Sequence, residues 1–157
     1  MESWLYLAVI LDLFSRKVVG LAMGNYLQTS LVMQALQQAL IKRQPKPGLT
    51  HHSDRGCQYT SIAFQTLLNK QGITCSMSST GNCFDNAAME SFFHTLKTEQ
   101  IYFERYLTRE RAKADIFEYV EVFYNNKRRH STLGYLTPAE YEKNYYQQQT
   151  VPLQHVY

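Results

Sequence analysis

The sequence predicts a single α/β domain built on a mixed sheet. Three observations carry that prediction. Two β-branched and aromatic runs, Trp4–Leu11 and Lys17–Met23, are separated only by the turn Asp12–Arg16. Two more short strand-like segments, Leu49–Ser53 and Gly72–Ser76, alternate with stretches of helical spacing. Beyond them only helical spacing recurs. Strand, strand, helix, strand, helix, strand and then helices is an α/β order, and 157 residues suffice for one domain with its own core.

Taken in order, Trp4–Leu11 is almost continuously apolar, as a strand covered on both faces should be. In the turn, Asp12 and Ser15 can bond the local backbone, and the strands on either side form an antiparallel hairpin. Leu31, Val32, Ala35, Leu36, Ala39 and Leu40 recur at helical spacing. They predict an amphipathic helix over 30–43, capped by Thr29 or Ser30 and ended by Pro45 and Pro47. Leu49–Ser53 is a short strand with Asp54 at its C-terminal end. Thr60 or Ser61 caps a helix running to about Lys70, with Ala63, Phe64, Leu67 and Leu68 inward. Gly72–Ser76 is a further strand, and Met77–Phe84, with Gly81 and Asn82, reads as a loop. Asp85 is placed to cap a helix whose apolar stripe is Met89, Phe92, Phe93 and Leu96. Glu90, His94 and Lys97 share another face of that helix. Arg109–Asn126 is a long helix, Asn125–Ser131 a basic loop, and Thr137-Pro138 opens a last short helix. The polar tail from Gln147 should fray. The chain thus divides into a core over 1–105, a helical part over 106–146 and a tail over 147–157.

Composition narrows the classes. With 45% hydrophobic and 18% charged residues the chain is globular rather than disordered. A net charge of +3 permits nucleic acid without arguing for it, so a DNA case rests on local patches. The three cysteines, Cys57, Cys75 and Cys83, form no C-x-x-C pair, which argues against a disulfide framework or a zinc module and for a reducing cytoplasm. No charged and apolar leader opens the chain. The longest apolar run, Trp4–Leu11, falls well short of the ~20 residues a membrane helix requires.

The chemistry concentrates on two carboxylates, Asp54 and Glu90. Hard divalent cations prefer carboxylate oxygen, and two such ions about 3.5–4 Å apart can clamp the attacking and leaving oxygens of a phosphoryl transfer. Asp54 at a strand end and Glu90 on a helix after a loop can converge on one point if the fold brings them together. The plain alternative is that Asp54 starts an Asp-Arg-Gly turn and Glu90 is a solvated helix carboxylate. His94 and Lys97, on the Glu90 face, and Arg55, beside Asp54, are candidates for phosphate contacts. So are Lys127, Arg128 and Arg129, in the basic run that His130 closes. Each has a structural alternative as a solvated or ion-paired side chain. His51, His52, Cys57 and Cys83 match no usual zinc spacing.

With these residues in place, the chain resembles the integrase-core domain of bacterial insertion-sequence transposases, of the second-open-reading-frame type related to retroviral integrases. Four motifs carry the resemblance, in family order over nearly the whole chain. They are Trp4-Leu-Tyr-Leu-Ala-Val with Asp12-Leu-Phe-Ser-Arg16; His52-Ser-Asp54-Arg-Gly56 with Gln58-Tyr-Thr-Ser61; Gly81-Asn82 with Asp85-Asn86 and Glu90-Ser-Phe-Phe93; and Tyr124-Asn125 with Arg128, His130 and Gly134-Tyr-Leu-Thr-Pro138. Cys57 and Cys83 stand where relatives often show serine and proline.

The resemblance implies a ribonuclease-H-like fold and an Asp-Asp-Glu triad holding two Mg²⁺ or Mn²⁺ ions. It also implies cleavage at transposon ends followed by strand transfer into target DNA. Asp54 matches the second Asp and Glu90 the Glu. The first Asp of the family lies on a strand about a dozen residues before the Trp-Leu-Tyr-Leu segment, upstream of Met1. Asp12, the obvious substitute, matches a different family position. In the family fold that strand lies between the second strand and the one carrying the Asp54 match, so an unfilled strand position is expected, with self-association or marginal solubility. Two functions follow as expectations. One is the catalytic core of a transposase acting on DNA. The other, favoured for residues 1–157 alone, is a remnant that binds DNA or associates with an intact transposase. A ribonuclease-H-type nuclease on RNA–DNA hybrids is a weaker rival, against which the motifs around Glu90 and Asn125 speak.

Overall fold

The computed structural model describes residues 4–77 and 86–150. Strands β1 (Tyr6–Leu11) and β2 (Val18–Gly24) form the expected antiparallel hairpin, paired from Tyr6↔Gly24 to Ile10↔Gly20. The register shifts before Leu11↔Val18, a bulge beside the turn. In that turn Phe14 N donates to Asp12 Oδ1 at 2.9 Å and Lys17 N to Ser15 Oγ at 3.3 Å, the local bonding its polar residues predict. Helix α1 (Thr29–Arg43) follows, then β3 (Thr50–Ser53), the short helix α2 (Cys57–Thr60), α3 (Ile62–Lys70) and β4 (Thr74–Met77). Strands β3 and β4 pair in parallel, Thr50↔Thr74 to Ser53↔Met77. The second half holds α4 (Ala87–Glu99), α5 (Arg109–Glu118) and α6 (Pro138–Thr150).

Both strand orientations of the expected mixed sheet are present. Among the described residues, however, the strands form two two-stranded sheets, and no ladder joins β1 to β3. One core nevertheless runs under both sheets. Ala8 and Ala22 of the hairpin, residues of α1 and α3 including Ala35 and Phe64, and Ile73 beside β4 bury one another, with Tyr6, Ile10 and Cys75 packed at the edge. The opposite face of the hairpin, with Val9, Val18 and Leu21, packs on Phe92 and Leu96 of α4 and on Ile116, Tyr119, Val120 and Tyr124. The period of two along β1 thus sends alternate residues into two different cores. That explains why Trp4–Leu11 reads as a continuous apolar run.

Several element ends differ from expectation. Thr29 is the first helical residue of α1, and Gln28 before it makes no side-chain cap bond, so neither Thr29 nor Ser30 caps the helix. At the other end Gln44 is left-handed (φ 44°) and its N–H bonds Leu40 O, ahead of Pro45 and Pro47. Ser61, not Thr60, caps α3, its Oγ accepting from Phe64 N at 3.3 Å. The expected Asp85 cap lies outside the described residues, as does the 78–84 loop, whereas Met77 ends β4. Helix α5 continues as a π-helical turn, Tyr119–Tyr124, in which Asn125 N reaches back to Val120 O at 3.1 Å. Before α6, Thr137 Oγ1 accepts from Glu140 N and Glu140 Oε2 accepts from Thr137 N, a reciprocal capping box. That helix runs through Thr150, past the point where Gln147 was expected to fray.

Candidate functional site

Asp54 is exposed immediately after β3, where the chain leaves the strand for α2. Its carboxylate folds back on its own turn. Gly56 N donates to Asp54 Oδ1 at 2.8 Å, the local bond that aspartate favours at a turn. The charge of Asp54 reaches Tyr59, whose phenol is pushed above its ordinary range by burial first and by Asp54 second. Arg55 is exposed beside it.

The two faces of the strand before Asp54 differ. His51 stacks against Phe64 of α3, ring centroids 5.5 Å apart, and burial pushes its imidazole down to about 4, with His52 adding a smaller charge effect. Its strand partner Cys75 packs in the same core under α1. By alternation, His52 points the other way, and its Nδ1 lies 3.2 Å from Oγ of its register partner Ser76. Asp54 lies just past the end of β3, where the strand's alternation stops. Three consecutive residues, His51 (Nε2), His52 (Nε2) and Ser53 (Oγ), hold buried polar atoms without a hydrogen-bond partner among the described residues. Native structures leave few such atoms.

Glu90 lies in the first turn of α4, where the helix dipole favours a carboxylate, and is exposed. His94 and Lys97 follow on the exposed face as the spacing predicts. Lys97 also borders an apolar cavity of about 480 Å³ between the start of β1 (Trp4 to Leu7), α4 and α5. As hard oxygen donors Asp54 and Glu90 suit a divalent cation. Their number is two, and no group of three or more candidate ligands occurs among the described residues. Asp12 adds no third. Its Oδ2 is 3.1 Å from Arg43 and its Oδ1 accepts from Phe14 N. The described cysteines, Cys57 and Cys75, are free thiols in no such group.

The basic loop separates into different environments. Arg128 is committed to Glu99 through three contacts of 2.7–2.9 Å from Nε and Nη2. The same carboxylate accepts from Tyr119 Oη at 2.6 Å. Burial raises the Tyr119 phenol and its bond to Glu99 raises it further. Arg129 Nη1 donates to Tyr135 O at 3.2 Å. Lys127 is exposed. His130 is buried edge-on against Tyr124 at 4.9 Å. The sequence flagged Arg128 but not its partner Glu99, because a partner 29 positions away leaves no local pattern. It named Gly56 within the His52–Gly56 motif but gave it no role, although the Asp-Arg-Gly turn directs its amide at Asp54.

Family profiles described as integrase core domain match residues 1–83 and 90–145. The chain belongs to the integrase core family. Among relatives of this integrase core, the transposase for insertion sequence element IS904 of Lactococcus lactis is 49% identical over 142 residues, covering 90% of this chain and 56% of that protein. The transposase InsF for IS3A of Escherichia coli is 45% identical over 141 residues, covering 90% and 49%. The chain therefore spans about half the length of the curated relatives it matches. Of solved structures, the catalytic core domain of BIV integrase superposes with a TM-score of 0.63 at 24% identity, over 90% of this chain and 88% of that one. The HTLV-2 integrase catalytic core, solved with magnesium in a trimeric form, gives 0.61 at 16% identity, over 85% and 82%. These likenesses establish the ribonuclease-H-like fold of the integrase core. Among the described residues no helix is long and apolar enough to cross a membrane.

Proposed function

We propose that this integrase core serves DNA transposition, with Asp54 and Glu90 as carboxylates of a divalent-metal site for DNA cleavage and strand transfer. The observation that supports it most is the exposure of both carboxylates at the ends of elements, Asp54 directly after β3 and Glu90 in the first turn of α4. Mg²⁺ or Mn²⁺ bound there would supply charge stabilisation at the phosphodiester under attack. The chain's own residues hold the carboxylate at Asp54 and present basic groups to the phosphates. Arg55, His94 and Lys97 flank the two carboxylates in sequence, and Lys127 and Arg129 extend the basic surface. Arg128 is the exception, acting through Glu99 on the loop rather than on DNA. The partners in this reading are transposon ends, target DNA and further copies of an integrase-type chain, in the cytoplasm.

A second reading is favoured by the finding that no group of three or more candidate metal ligands occurs among the described residues. Residues 1–157 alone then bind DNA or an intact transposase without turnover. The test is incubation of the purified chain with Mn²⁺ or Mg²⁺ and duplexes carrying the terminal repeats of its element. Metal-dependent nicking that Asp54→Ala and Glu90→Ala each abolish supports the first reading and rejects the second. Salt-sensitive binding without nicking supports the second. Neither binding nor nicking rejects both.

A further inference from the structure

The glycines of this chain are not there for one reason. Gly48 (φ 102°), Gly72 (φ 67°) and Gly134 (φ 64°) occupy left-handed backbone, which disfavours a side chain. Gly20 has no such need, but a Cβ there would lie 2.1 Å from the carbonyl oxygen of Ala35, so it serves the packing of α1 on β2. Gly56 fits neither case. Its φ of −57° and ψ of 144° are backbone that any residue adopts. A Cβ at position 56 would meet no backbone atom among its nearest neighbours. It would meet Asp54 Oδ1 at 2.9 Å, Gln58 Oε1 at 3.0 Å and Tyr59 Cδ2 at 3.4 Å. Carbon–oxygen contacts start at about 3.3 Å, so the two oxygens are crowded and the ring carbon is not.

The crowded carboxylate oxygen is the one that accepts the Gly56 amide at 2.8 Å. Bond and clearance therefore depend on each other. The amide draws Oδ1 in, and only a residue without a Cβ leaves it room. We propose that Gly56 is a positioning residue for the Asp54 carboxylate, setting its rotamer before any cation or phosphate arrives. This inference rests on the reading of Asp54 as a metal-site carboxylate. The fold tolerates a side chain at 56, because side-chain ends can move and the backbone need not. The displacement falls on the one group whose position the chemistry needs, and catalytic constellations tolerate only about 0.5 Å of misplacement.

The test compares the wild-type chain with Gly56→Ala, Gln58→Ala, the double variant Gly56→Ala/Gln58→Ala, and Asp54→Asn. Crystal structures read the bond between the residue-56 amide and Asp54 Oδ1. Paramagnetic broadening of the amide resonances of residues 52–58 during Mn²⁺ titration reads the carboxylate's competence. The expected result for Gly56→Ala is an unchanged or slightly raised melting temperature, a turned Asp54 carboxylate with that bond lost, and a Mn²⁺ requirement for half-broadening about tenfold higher. The double variant shows the same rise relative to Gln58→Ala, which assigns it to the Asp54 contact. A Gly56→Ala chain that keeps the bond and a Mn²⁺ requirement within about twofold of wild type overturns the proposal. If Asp54→Asn leaves the broadening unaltered, Asp54 is no metal ligand and the functional reading fails. The bond in the Gly56→Ala crystal then decides the positioning claim alone, retention overturning it and loss upholding it.

Discussion

The Asn125 carboxamide closes a two-bond ring with the backbone of Val18. Its Oδ1 accepts from Val18 N at 2.9 Å and its Nδ2 donates to Val18 O at 3.0 Å, with Asn125 essentially buried. A side chain from the end of the π-helical turn thus pairs with β2 as a neighbouring strand would, at the residue where the hairpin register shifts. It joins the helical half of the chain to the sheet. Asn125 O also accepts from Ala139 N at 3.0 Å, which ties in α6.

Asn125→Ala leaves both backbone groups of Val18 buried without this partner. At about 1–3 kcal/mol per unsatisfied buried group, the loss for two groups should be roughly 2–6 kcal/mol. Asn125→Asp keeps the shape but presents an acceptor to Val18 O, and should be no better than alanine. Urea melts of the three proteins measure this. An alanine variant within about 0.5 kcal/mol of wild type, the scatter of surface changes, would sink the interpretation.

Gly20→Ala addresses the contact between β2 and α1. A Cβ 2.1 Å from Ala35 O cannot be relieved by a rotamer change, because the atom it meets is main chain. Helix α1 must back away from the sheet and loosen the core around Ala8, Ala22 and Ala35. The expected cost is about 3 kcal/mol, the upper end for overpacking, read as a lowered melting temperature. Gly56→Ala, with no backbone in its way, should show no such drop, so the pair separates a packing glycine from a positioning one.

Much of this was legible in the sequence where the signal was local. The hairpin followed from two apolar runs and a polar turn, and the Asp54 and Glu90 placements from a strand end and a helical stripe. The Thr137 cap followed from Thr-Pro ahead of a helix. Contacts between distant residues were not legible. Nothing near Arg128 announces Glu99, and nothing near Ser15 announces Glu142. The π-helical turn was hidden because Tyr119, Val120 and Tyr124 are buried in it as they would be in an α-helix, so hydrophobic spacing does not tell the two apart. The division into two sheets depends on which strands find hydrogen-bond partners, and burial patterns within each strand carry no record of that.

The Arg128–Glu99 pair predicts different outcomes for neighbouring basic residues. Arg128→Ala removes a forked ion pair and leaves Glu99 with its bond from Tyr119. With both side chains partly exposed, the pair contributes about 1 kcal/mol, and Arg128→Lys should recover little because lysine lacks the fork. Arg128→Ala should therefore lower the melting temperature while leaving the salt dependence of DNA binding nearly unaltered. Lys127→Ala should do the reverse, lowering the slope of log affinity against log salt by about 1 for one lost phosphate contact. Fluorescence anisotropy on a labelled duplex across a salt series, beside thermal melts, separates the two. The same full loss of slope in Arg128→Ala would return Arg128 to the DNA-contacting set.

Acid should destabilise the fold in two ranges, to which His51 contributes in the upper and Glu142 in the lower. Burial holds His51 neutral down to about pH 4, whereas an unfolded histidine protonates near 6.5. Between those values the unfolded chain binds the extra proton, so the His51 contribution is complete above about 6.5 and is lost as pH falls toward 4. Each tenfold weakening of proton binding in the folded state corresponds to about 1.4 kcal/mol, which puts the loss at roughly 2–3 kcal/mol. Glu142 acts lower. Burial alone would raise it, but hydrogen bonds from Arg43 and Ser15 and the charges of Arg43 and Lys17 outweigh burial and hold it below its ordinary 4.5. Its contribution is complete above 4.5 and disappears as pH falls through the depressed value. His51→Phe, which keeps a ring against Phe64, should shrink the fall between pH 6.5 and 4, leaving the part due to His130, whose imidazole burial also lowers, and preserving the fall below it. Glu142→Gln should lower stability at neutral pH, since Arg43 loses its buried partner, and reduce the lower step, to which Glu99 and Glu140, also held below their ordinary value, still contribute. Urea midpoints measured from about pH 7 to about pH 3 resolve the steps. A wild-type chain with constant stability from pH 6.5 to 4 would show that His51 is not held neutral by its burial against Phe64.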